Sequence, residues 1–108
     1  MSKFFNATGT DFIGGSLLHE LISPGESSSS IKSIILTNVH AAGTAVGLFI
    51  QDDPESGTTN TYYLVYSVDI PVGSSLLLDE PSMFKFDDSY GLYLRINADD
   101  KIDVVINT

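Results

Sequence analysis

The chain has 108 residues, a net charge of −9 from 14 acidic and five basic side chains, and neither Cys nor Trp. That length corresponds to one domain, and the missing cysteines exclude a disulfide-stapled scaffold and a thiolate metal site. The five cations, Lys3, Lys32, Lys85, Arg95 and Lys101, are scattered, so neither nucleic acid nor an anionic membrane is an expected partner for so acidic a protein.

Residues 1–16 are rich in Gly and Thr and read as an N-terminal extension or arm, in which Phe4 and Phe5 can pin the chain against a core or a neighbouring subunit. Residues 17–108 read as a single β domain. It begins with a short strand over 17–22, which Ser23-Pro24-Gly25 ends, and a polar serine-rich loop follows. The stretch 31–50 is the one around which the rest is arranged. Two apolar runs flank His40-Ala41-Ala42-Gly43, a connection of hairpin length, and antiparallel pairing between them is expected. On the first run, Ile34, Leu36 and Asn38 share one face, and Ile35, Thr37 and Val39 the other.

After a polar loop over 51–60 comes the longest β-like run, 61–70. Its alternation predicts Tyr62, Leu64, Tyr66, Val68 and Ile70 facing the core, with Tyr63, Val65, Ser67 and Asp69 opposite. Pro71-Val72-Gly73 predicts a turn and 74–78 a short strand. Residues 82–86 read as a brief strand or as a loop tucking Met83, Phe84 and Phe86 inward. The run 90–97 predicts Leu92, Leu94 and Ile96 inward and Tyr93, Arg95 and Asn97 outward. The run 101–107 predicts Ile102, Val104 and Ile106 inward, and the last two strands read as a second hairpin. Seven to eight strands spaced by turn signals, with no convincing helix, imply an all-β antiparallel sandwich or barrel, because each half-apolar sheet must bury its inner face against another.

No catalytic constellation is visible. There is no Cys and no GxSxG elbow, and His19 and His40 have no ligand spacing around them. Asp52, Asp53 and Glu55 are the best calcium candidate. Six to eight oxygens would require a second loop such as Asp87-Asp88 or Asp99-Asp100, so the loop reads as a solvated acidic turn. No enzyme activity, cofactor or metal is expected. Aromatic side chains and Arg are enriched at interfaces, so the outward stripe Tyr93, Arg95 and Asn97, extended by Tyr63, is the expected partner contact, together with Phe4 and Phe5.

The run Ile31-Lys32-Ser33-Ile34-Ile35-Leu36-Thr37-Asn38, the strand Val46-Gly47-Leu48-Phe49-Ile50 after its Gly turn, the step Asp69-Ile70-Pro71-Val72-Gly73-Ser74-Ser75-Leu76 and the closing strands over 92–106 together resemble small virion proteins of tailed bacteriophages. The likeness is to head decoration or cement proteins of marine and cyanobacterial phages. It implies a jelly-roll-like sandwich, a homo-oligomer with a trimer expected, and a place on the capsid surface of the virion. The implied partner is the major capsid protein or another virion protein, and the role is to tie capsomers together. Where that family has a late Gly-Asp turn, this chain has Phe86-Asp87-Asp88-Ser89-Tyr90. A tail, baseplate or fibre component and a carbohydrate-binding sandwich module are the alternatives. The latter would use Tyr63 or Tyr93 as its aromatic platform.

Overall fold

The computed structural model describes residues 2–8, 12–13, 16–17, 19–25, 31–52, 60–87, 89–97 and 100–108. Its strands are β1 (Ser2–Thr8), β2 (Phe12–Ile13), β3 (Ser16–Leu17), β4 (His19–Ile22), β5 (Ser33–Asn38), β6 (Thr44–Gln51), β7 (Thr61–Ile70), β8 (Ser75–Leu78), β9 (Gly91–Arg95) and β10 (Lys101–Asn107). Two antiparallel four-stranded sheets form, in the orders β1-β10-β5-β8 and β4-β9-β6-β7, and β2 pairs with β3 beside them. Counting the eight main strands alone, this is the interleaved order of a jelly roll.

Strand alternation fills the space between the sheets. Ile34 and Leu36 from β5 and Ile102, Val104 and Ile106 from β10 meet Val46 and Leu48 from β6 and Leu92 and Leu94 from β9, all of them buried. Residues 82–86 lie not in a strand but around a 3-10 turn, Pro81–Phe84. That turn drops Phe84 fully into the core, with Met83 and Phe86 packed against it.

Both expected hairpins are corrected. β5 and β6 lie in different sheets, and so do β9 and β10. Each short connection turns a corner between sheets rather than reversing beside its own strand. Asn38 supplies the reason at the first corner. Its buried amide donates to the carbonyls of Ala42 and Ile70 at 2.8 and 2.9 Å, and its Oδ1 accepts from the His40 N–H at 2.8 Å. The second corner docks on the first: the Val39 N–H donates to the Lys101 carbonyl, and His40 Nε2 lies 3.7 Å from Asp100 Oδ1.

Two further expectations change. Ser2–Thr8, read as part of an extension, is strand β1 and pairs with β10 along its whole length. On β7, Tyr62, Tyr66 and Val68 are exposed, while Val65 is buried and Leu64 only half-buried. The register between β6 and β7 shifts twice, between Val46 and Leu48 and again between Leu48 and Phe49, which turns Val65 inward between the shifts. Tyr62 and Val68 lie beyond them, paired with Ile50 and Val46, and are exposed because β7 is the edge of its sheet. Residues 17–22 likewise fall into two elements, with Leu17 in β3 and His19–Ile22 in β4.

Candidate functional site

The outer face of the second sheet holds the irregular features of the molecule. Gly47 of β6 pairs with Arg95 of β9 on one side and, on the other, faces the first register shift of β7. At that shift Ser67 adopts φ 52°, the one positive φ outside glycine among the described residues. Such left-handed backbone costs of order 1 kcal/mol for an ordinary residue and persists only where the surroundings hold it. Without a side chain, Gly47 lets the Tyr63 ring pack close against the sheet's outer surface. A Cβ there would stand 3.3 Å from Tyr63 Cε2 and 3.9 Å from Arg95 Cβ.

Gly47 also lines an open cleft of about 180 Å³. Tyr63, Tyr66 and Ser67 form one wall, and Arg95 and Asn97 the other. The rings of Tyr63 and Tyr66 stand at 87° with centroids 4.9 Å apart. Behind them lies Phe49, fully buried on this outer face, with the Tyr63 ring 5.1 Å away and the Arg95 guanidinium carbon 5.9 Å above its own ring centre. A cation over an aromatic face is held there by the ring quadrupole, which restrains Arg95 beside the cleft.

Of the expected contact residues, Tyr63, Arg95 and Asn97 meet in this cleft. Tyr93 does not join them. Its side chain points to the outer face as expected but is 0% exposed, stacked 6.0 Å from Phe49. Its hydroxyl donates to Glu20 Oε2 at 3.1 Å, and the Ser23 hydroxyl donates to the other oxygen of the same carboxylate at 2.6 Å. Phe4 and Phe5 belong to the first sheet. Phe4 is 73% exposed, whereas Phe5 packs on the core and meets the His19 ring edge-on at 5.4 Å. Sequence reasoning missed Tyr66, Ser67 and Gly47. An isolated Gly within an apolar strand was the available signal, since it marks a bulge or a close approach.

On the outer face of the first sheet the register is regular. Phe4 pairs with Val105, Val105 with Ile35 and Ile35 with Leu77, so one apolar row crosses all four strands. Phe4 and, at 54% exposure, Leu77 are its open ends. The polar rows on either side bond within themselves. Asn6 Nδ2 donates to Asp103 Oδ1 at 2.8 Å, Thr37 and Ser75 share a hydroxyl hydrogen bond of 2.8 Å, and Asn107 Nδ2 donates to Ser33 Oγ at 3.0 Å.

His19 and His40 engage different neighbours, and among the described residues no three His, Asp or Glu side chains are placed to hold a metal. Asp52 accepts from the Asn60 backbone and amide at 2.8 and 2.9 Å. Asp53, Glu55, Asp88 and Asp99 lie outside the described residues. No protein-family model matches the chain, and no curated protein matches it.

Proposed function

We propose that this chain is a non-enzymatic structural protein of a tailed-bacteriophage virion, of the capsid decoration or cement type, whose first sheet lies flat against neighbouring protein of the shell. The observation that carries this reading is the apolar row from Phe4 to Leu77 between polar rows whose side chains bond to one another. A neutral polar group already bonded within its own surface, as Thr37 is to Ser75, can be covered by a partner without losing that bond, whereas the Asp103 carboxylate would need a partner cation to be covered. Apolar burial along the row then contributes about 25 cal/mol per Å². A row four strands wide is a strip only about 14 Å long, and a strip that short covers well under the roughly 800 Å² per partner of a standard interface. Repetition by the symmetry of a shell supplies the remainder as avidity, which is how a weak single contact serves a decoration protein. The sequence resemblance and the jelly-roll strand order support the same reading.

The test combines light scattering at several concentrations with co-sedimentation on genome-free heads of the phage that encodes the chain. A trimer in solution and saturable attachment to heads are expected. A strict monomer that also fails to attach overturns the proposal.

A further inference from the structure

The cleft on the second sheet calls for a different ligand from the flat row on the first. Its volume of about 180 Å³ lies below the roughly 300 Å³ at which drug-sized sites begin, so it takes one ring-sized group. The perpendicular pair Tyr63 and Tyr66 offers a ring face beside a ring edge, which suits a ring with an apolar face and a polar rim. Asn97 and Ser67 add donors and acceptors at the cleft's margin. Arg95 is the chain's one arginine. Amid 14 acidic residues it makes no ion pair with any carboxylate among the described residues, and its donors are exposed beside the cleft. A guanidinium in that setting is matched by a carboxylate, which it binds through two parallel hydrogen bonds.

We propose that this cleft binds a monosaccharide unit bearing a carboxylate, a sugar of the uronic-acid type, with its ring against Tyr63 and Tyr66 and its carboxylate on Arg95. An acidic side chain of a partner protein shares the carboxylate but lacks the ring. An extended peptide also cannot add as a strand here, because the register shifts of β7 break the regular row of backbone groups beside Tyr63 and Tyr66. The site is independent of the contact row on the first sheet.

The experiment is an amide-resolved NMR titration of the whole chain with three probes: sodium glucuronate, glucose and N-acetylglutamate amide. Glucuronate is expected to give saturable shifts centred on Gly47, Tyr66, Arg95 and Asn97, with the other two probes weaker by about tenfold. Arg95→Gln should bring glucuronate down to the level of glucose, and Arg95→Lys, which keeps the charge without the fork, should fall between. Tyr66→Ala, at a 73% exposed side chain, should keep the fold and weaken both sugars. Val72→Ser, in the turn after β7, should titrate as the wild type. Three results overturn the proposal: no saturable response to glucuronate, glucose binding as tightly as glucuronate, or N-acetylglutamate amide binding as tightly as glucuronate, the last of which assigns the cleft to a protein carboxylate.

Discussion

The two sheets share one core and differ on their outer faces. On the first, every strand keeps its register, so side chains line up in rows and the surface is flat. On the second, β6 and β7 slip twice, the Tyr63 ring packs close over Gly47, and Phe49 and Tyr93 form a second, smaller core on the side away from the main one. A regular sheet presents a plane, which another protein surface can meet. A bulged sheet presents a hollow, which a small group can enter. The same eight-stranded scaffold thus carries two kinds of outer surface.

The sharpest way to break this contrast is at Tyr93. Tyr93→Ala should destabilise the fold by about 3–5 kcal/mol in denaturant unfolding, as truncation of a buried aromatic does, whereas Tyr93→Phe should cost about 1.5–3 kcal/mol for the lost bond to the Glu20 carboxylate. A cost for Tyr93→Ala within the roughly 0.5 kcal/mol of a surface change would make the second face as open as the first. Next is Gly91→Ala. A Cβ at residue 91 would lie 2.6 Å from the Ile22 carbonyl oxygen and 2.7 Å from the Tyr93 hydroxyl. Backbone cannot yield cheaply, so a loss of about 1–3 kcal/mol is expected by thermal unfolding.

The first face should respond the other way. Phe4→Thr and Leu77→Thr keep β propensity and remove only exposed apolar surface, so stability should move by no more than about 0.5 kcal/mol while attachment to a partner falls. The smallest effect lies outside both faces. Asp87 is held below the ordinary carboxylate range, first by the Ser89 backbone N–H and then by the Ser89 hydroxyl. Its contribution is therefore complete above the unfolded-state value and fades as pH falls through the folded one. Asp87→Asn should remove a slight acid-side loss of stability below about pH 4, read by thermal melts across pH.

Alternation told which side of the last two strands is buried, and at Leu92, Leu94, Ile96, Ile102, Val104 and Ile106 the structure agrees. It did not tell which strand lies alongside. A strand facing the core satisfies the same pattern from either sheet, and the 40–43 connection is long enough for a hairpin or a corner. The choice between them rests on Asn38, a polar residue whose buried bonds reach Ile70, far along the chain. Two-residue alternation also assumes an unbroken register, and on β7 the shifts beside Gly47 and Leu64 invalidate it. For that reason Tyr66 was expected in the core. Arg95 was legible as outward because β9 keeps its register with β6, and Tyr63, paired with Phe49 beyond both shifts of β7, keeps the outward side that alternation gave it. Tyr93 was placed on the correct face, but the sequence carries no sign that Phe49 and Glu20 close over it.

The division between the faces is tested most directly by attachment to genome-free heads, comparing Leu77→Thr with Tyr66→Ala in the same sedimentation assay. Leu77→Thr should lose attachment and Tyr66→Ala should keep it. The reverse pattern, with attachment lost through the cleft and kept without the row, would contradict the account.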